Sequence, residues 1–193
     1  WTGGTALAEF YLKHRLSEDI DLFCETEEVD QGLVEIFLKK ISPKLGVKEI
    51  QKNHFLGLFS YHLIYSEKES LKVDFNYYPF LRIDKGIKFK NIQVDSLYDI
   101  AVNKIHTISM KPRARDFIDI YFIAKEKNYP FAKMILDAKA KFDWHIDEME
   151  LGTQLLKAKD VKDYPRMLKK IRPEEWQDFF VNETRKLGKE IFK

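Results

Sequence analysis

Near its start the chain places Gly3-Gly4-Thr5 ahead of a short helix-like run and then, with thirteen residues between Thr5 and Asp19, the sequence Asp19-Ile20-Asp21-Leu22. Two adjacent glycines leave the backbone bare where Thr5 to Leu12 can start a helix, so free N–H groups and the positive helix end can meet anionic oxygens, with the Thr5 hydroxyl beside them. The intervening residues suffice for roughly two to three helical turns and a short return into a strand. On that strand Asp19 and Asp21 face one side while Ile20 and Leu22 face the other. The fold must therefore hold two like charges together, which raises their pKa values and opposes folding. A divalent cation relieves that strain, and an all-oxygen donor set suits Mg2+ or Mn2+ better than a site of His and Cys would. The competing explanation is a solvated strand end, where Asp-x-Asp occurs by chance.

A third carboxylate is expected from elsewhere. Residues 71 to 77 alternate strictly, with Leu71, Val73, Phe75 and Tyr77 against Lys72, Asp74 and Asn76, so Asp74 lies on a polar strand face. The aromatic and β-branched run from Phe55 to Tyr65 and the polar turn from Ser66 to Ser70 predict a hairpin with that strand. Placed beside the Asp19 strand, Asp74 would complete a cluster able to hold two ions and deprotonate a hydroxyl nucleophile. Placed elsewhere, it is a solvated acid. Arg15 and Ser17, just before the acidic strand, can contact phosphate through a planar fork and a hydroxyl, or can organise the loop. His14 reads as a loop or packing residue, and Cys24 as a small structural one.

The remaining pattern is α/β (α+β). Leu33, Ile36, Phe37, Lys40 and Ile41 trace a helix that Pro43 and Gly46 help to end. Strands are expected around 47–52, 55–65, 71–77 and 87–94. Asp95 or Ser96 caps a helix from Leu97, after which the chain reads as helical, with breaks at 128–130 and around Tyr164-Pro165. A helix is predicted from Phe131 to Phe142, and Trp176, Phe179, Phe180, Glu183 and Leu187 mark an amphipathic last one. This divides the chain into a core at 1–95 and a helical region at 96–193.

Taken in order, Gly3-Gly4-Thr5-Ala6-Leu7, His14-Arg15-x-Ser17-x-Asp19-x-Asp21-x-Phe23, the strand bearing Asp74, Asp99-Ile100-Ala101-x-x-Lys104 and Arg113-x-x-Asp116-x-x-Asp119 resemble the AbiEii-type nucleotidyltransferase family. That family belongs to the DNA polymerase β-like superfamily and includes toxins of bacterial toxin-antitoxin and phage-defence systems. The resemblance implies a nucleotidyltransferase core with a mixed sheet, followed by helices that complete the cleft. It implies Asp19 and Asp21 as principal metal ligands, Asp74 as the third acid, and Gly3, Gly4 and Thr5 at the triphosphate. It further implies Lys104 reaching the nucleotide phosphates, with Arg113, Asp116 and Asp119 in support. From the residues alone, Lys104 is equally an ordinary surface lysine beside an apolar stripe, and an acid near a helix start favours the helix dipole. Such a fold places a strand and often a helix before the glycine turn, whereas this sequence begins at Trp1. A preceding native segment is therefore expected, without which the sheet lacks an edge partner.

Composition agrees with an intracellular, cytoplasmic enzyme. A single cysteine excludes an intrachain disulfide framework, and no apolar run approaches the roughly 20 residues of a membrane span. A formal net charge of +2 does not announce a nucleic-acid binder. Lys157, Lys159, Lys162, Arg166, Lys169, Lys170 and Arg172 do cluster, interrupted by Asp160 and Asp163, as an RNA-contacting surface or a solvated face. The function that follows is Mg-dependent transfer of NMP from an NTP to an acceptor, RNA and specifically tRNA from the resemblance, by a toxin with a cognate antitoxin as partner. The alternatives are a nucleotide-binding interaction protein without transfer activity, a protein acceptor, and phosphotransfer.

Overall fold

The computed structural model describes residues 1–55 and 58–191. A four-stranded mixed sheet has the order β1-β4-β3-β2, built from β1 (Asp19–Cys24), β2 (Glu49–Phe55), β3 (Leu58–Ser66) and β4 (Glu69–Tyr77). β1 runs parallel to β4, while β4, β3 and β2 are antiparallel neighbours. The alternation of β1 and β4 gives the sheet one apolar and one polar face. Ile20, Leu22, Leu71, Val73 and Phe75 point to the apolar face, which α2 (Gln31–Leu45) covers with Val34 and Leu38. Asp30 caps α2, accepting from the Leu33 N–H at 3.0 Å.

A second, larger core lies among the helices. It joins α1 (Gly3–Leu7) to α3 (Leu97–Met110), α4 (Ala114–Glu126), α5 (Phe131–Lys141), α6 (Glu148–Leu156) and α7 (Pro173–Ile191). Trp176 and Phe180 of α7 stack on or abut Phe117 of α4, so the aromatic stripe of the last helix is core. Ser96 caps α3, accepting from the Asp99 N–H at 2.9 Å. No helix among the described residues is long and apolar enough to cross a membrane.

Several boundaries differ from the sequence expectation. The first helix begins at Gly3 rather than Thr5, and from Ala8 to Leu12 it widens into a π-helical turn. Pro43 sits inside α2, in its final turn, where its missing N–H forfeits only one bond, and the helix stops at Gly46. The second strand continues to Phe55, so the expected start of the 55–65 strand falls partly on it and partly on residues 56 and 57, outside the described residues. The 87–94 segment is a small separate hairpin, β5 (Ile87–Phe89) with β6 (Ile92–Val94). An unbroken extended pattern across Lys90 and Asn91 concealed that turn, where Lys90 takes a positive φ of 53°. Helix α6 lies in the stretch read as helical, where the sequence pattern sets no bounds for it. The outer edge of β1 is met at one point, where the Thr2 N–H donates to the Asp21 carbonyl at 3.1 Å.

Leu38 is 2% exposed against the sheet and Leu33 is 64% exposed on the same helix. Leu38→Ala is expected to destabilise by about 2–5 kcal/mol through lost burial and an unfilled cavity. Leu33→Ala should change stability by about 0.5 kcal/mol or less. Urea titration of both variants checks the pair.

Candidate active site

The polar sheet face is the floor of a cleft of about 350 Å³. In the parallel register Asp21 lies opposite Asp74, and Asp19 opposite Lys72, so alternation turns all four side chains to the same side. The glycine turn closes over them. Gly3 has a φ of +79°, and a Cβ there would overlap the Asp21 carboxylate. A Cβ on Gly4 would collide with the Arg15 guanidinium and lie 3.0 Å from the Ser17 hydroxyl. The glycines are thus needed for close approach to Asp21 and Arg15, as well as for a bare backbone.

Crowding leaves an electrostatic mark on the floor. Burial, the neighbouring Asp74 and then Asp19 push the Asp21 carboxyl up to about 6. Asp74 Oδ2 accepts from Lys72 Nζ at 2.5 Å, while its Oδ1 is buried without a hydrogen-bond partner. Among the described residues, no three His, Cys, Asp or Glu side chains are gathered tightly enough to hold an ion as they stand.

The opposite wall is cationic and is organised from behind by Asp119. This carboxylate is fully buried. It accepts a two-pronged bond from Arg15, Nε at 2.6 Å and Nη2 at 2.7 Å. His14 Nε2 approaches it at 2.7 Å and Lys104 Nζ at 2.6 Å. Burial alone would raise this carboxyl, but Lys104, Arg15 and His14 more than offset it and hold it well below the usual carboxylate range. Lys104 Nζ also donates to Asp116 at 2.7 Å, and Arg113 Nε donates to the other oxygen of Asp116 at 2.8 Å. Asp116 is lowered too: burial opposes, and Lys104 and Arg113 prevail. Three permanent cations, Arg15, Lys104 and Arg113, thus share two carboxylates beside the acidic floor.

Ten of the twelve residues singled out in the sequence line the cleft: Gly3, Gly4, Arg15, Ser17, Asp19, Asp21, Asp74, Lys104, Arg113 and Asp116. Thr5 and Asp119 stand behind its wall. The Thr5 hydroxyl is turned inward to the Ser17 hydroxyl and the Asp19 carbonyl, tying the helix to the loop before β1. Asn103, Thr107, Arg115, Tyr78 and Phe23 also line the cleft, and sequence reasoning gave them no role. Asn103 and Thr107 had left a signal, two polar residues four apart and so on one face of the predicted helix. His14 proves to be a buried partner of Asp119, a role no local pattern could disclose because the two lie 105 residues apart.

A groove of about 540 Å³ adjoins the cleft, sharing Arg15, Ser17, Asp19, Arg113 and Arg115 and adding Asp163, Tyr164 and Arg166. The segment that forms it is stitched across the His14 loop. The Leu16 N–H donates to Arg166 O at 2.8 Å, and the Leu168 and Lys169 N–H groups donate to His14 O at 2.8 and 2.9 Å. In the basic cluster beyond it, Lys159 pairs with Asp178 and Arg172 with Glu175. Arg115 and Arg166 form no ion pair among the described residues.

The raised Asp21 carboxyl has a consequence for stability. Its neutral form is favoured in the folded chain, so that contribution is complete below about pH 4 and lost as pH rises through about 6. At about 1.4 kcal/mol per pH unit of displacement, Asp21→Asn should stabilise the metal-free protein by about 1–3 kcal/mol at pH 7.5. It should give no comparable gain at pH 4. Denaturant titration in EDTA at both pH values checks this.

A family model described as the nucleotidyl transferase AbiEii toxin of a type IV toxin-antitoxin system matches residues 2–186. No curated protein matches the sequence. Among solved structures, the fold is similar to JHP933 from Helicobacter pylori, with a TM-score of 0.57 and 20% identity over 99% of this chain and 85% of that one. It is similar also to a Helicobacter pylori protein provisionally assigned as a nucleotidyltransferase, with a TM-score of 0.56 and 21% identity over 97% of this chain and 87% of that one. Match length and fold agree with the order of residues around the cleft, and the chain belongs to the AbiEii nucleotidyltransferase toxin family.

Proposed function

We propose that this nucleotidyltransferase moves the NMP of an NTP onto a hydroxyl of RNA, tRNA being the expected acceptor, as a toxin restrained by a cognate antitoxin. The observation that carries the reading is the facing of an acidic floor, Asp19, Asp21 and Asp74, by a wall of Arg15, Lys104 and Arg113 within one cleft. The oxygen donors, the crowded Asp21 and the unpartnered Asp74 Oδ1 fit a divalent cation such as Mg2+ or Mn2+. Asp19, Asp21 and Asp74 would hold it, with Lys72 yielding its place on Asp74. When bound it would neutralise phosphate charge and lower the pKa of the attacking hydroxyl.

The chain's own residues supply the rest. Gly3, Gly4 and Ser17 line the cleft, where their backbone N–H groups and the hydroxyl would meet the triphosphate. Arg113 and Arg15 provide preorganised positive charge as negative charge builds on the leaving pyrophosphate. Lys104, clamped between Asp116 and Asp119, acts through the wall's field and through the position of Asp116. The acceptor oxygen forms the new bond to the α-phosphorus, the bond from that phosphorus to the bridging oxygen breaks, and Asp74 Oδ2, once Lys72 has moved off it, takes the acceptor's proton. The groove bearing Arg115, Tyr164 and Arg166 suits a phosphodiester strand, with arginines for phosphate and an aromatic face for a base.

Purified protein with Mg2+, α-labelled triphosphates and bulk RNA should label the RNA, and Asp19→Ala should lower the rate about 100-fold or more. Label on protein would redirect the acceptor assignment. Tight nucleotide binding with transfer to neither would leave a binding component and overturn the transfer reading. Arg166→Ala, in the adjoining groove and not among the residues that line the acidic cleft, should weaken RNA use and flatten its salt dependence while leaving NTP affinity unchanged, as steady-state kinetics at two ionic strengths would show.

A further inference from the structure

Phosphate and metal chemistry account for one end of the cleft and leave the other unexplained. The β1 face that bears Asp19 and Asp21 continues into Phe23, about 7 Å beyond Asp21 along the strand. Tyr78, just past β4, stacks on Phe23 with ring centroids 4.7 Å apart and planes 25° from parallel. Both rings line the cleft. Tyr78 is braced from behind by the edges of Phe80 and Phe142, at 4.8 and 6.1 Å. Phe142 in turn stacks on His106 of α3 at 4.2 Å.

From α3 the side chains that line the same cleft include Asn103 and Thr107. Asn103 Oδ1 is buried and has no hydrogen-bond partner among the described residues. The Thr107 hydroxyl donates to the Asn103 backbone carbonyl at 2.9 Å, so it does not satisfy the amide. An unpaired buried amide oxygen is costly to keep unless a ligand completes it.

We propose that this end is a nucleobase subsite: the base of the incoming NTP stacks on the Phe23–Tyr78 pair, and the Asn103 amide hydrogen-bonds its edge and sets the choice of base. The proposal rests on the nucleotidyltransferase reading. A stacked aromatic pair accepts any base, because every base has a π face. A primary amide offers a donor and an acceptor side by side and so distinguishes one base edge from another. The distance from Asp21 to Phe23 leaves the ribose between the subsite and the phosphates.

Equilibrium binding of inorganic tripolyphosphate and of each of the four NTPs to the full chain, with Mg2+, tests this. One NTP should bind about tenfold or more tighter than tripolyphosphate. Phe23→Leu should remove most of that advantage and leave tripolyphosphate affinity intact, which also reports a folded protein, and Phe23→Tyr should retain the advantage. Asn103→Ala should flatten the preference among the four bases. Equal binding of tripolyphosphate and all NTPs by the unaltered protein would overturn the subsite and leave the transferase standing. A base preference unchanged in Asn103→Ala would overturn the role of that residue. Failure of every triphosphate to bind would overturn the nucleotidyltransferase reading and the subsite with it.

Discussion

The architecture turns on one buried carboxylate. Asp119, on α4, is enclosed by Arg15 and His14 from the loop before β1 and by Lys104 from α3. Taking such charges out of water is expensive, and the geometry answers that cost with a two-pronged guanidinium bond and two further nitrogen contacts. A hydrophobic replacement of the whole cluster could be as stable, but it would not fix the loop at one height above the sheet. Asp119 thereby places Arg15, and with it Gly4, which packs where no side chain would fit. The same carboxylate holds Lys104 against Asp116, so the cationic wall and the glycine turn share one anchor.

Function works against stability on the opposite side. Asp21 and Asp74 are paired in register on adjacent parallel strands, and burial keeps water from screening them. The sheet tolerates this because its other face is a closed apolar layer under α2, and because Lys72 lies against Asp74. Such an unfavourable floor would store affinity for a cation, as expected where a site rather than a core selects the residues.

Much of this was legible from local pattern. Strict alternation in 71–77 revealed the polar face of β4, and Asp19-x-Asp21 that of β1, because strand periodicity assigns faces without reference to partners. The Gly3-Gly4 turn was legible as a close approach, but what approaches it was not. Short apolar stretches misled at 87–94, where a hairpin turn without glycine or proline left no break to read. The roles of His14 and Thr5 were hidden for another reason: each partner is supplied by a distant segment, and a buried polar group is explained only by what it bonds.

The sequence by itself determined the α/β succession, the two acids on one strand face, the third acid on another, and the family to which that order belongs. Tertiary structure alone decided that β1 pairs with β4 in the register that sets Asp21 against Asp74. It alone decided that Lys104 is clamped between two carboxylates, and that Phe23 and Tyr78 stack in the cleft that Asn103 also lines. The physical reason is that periodicity and capping are encoded by neighbours along the chain, whereas register, ion pairing and stacking depend on groups that lie from 15 to 105 positions apart in the chain.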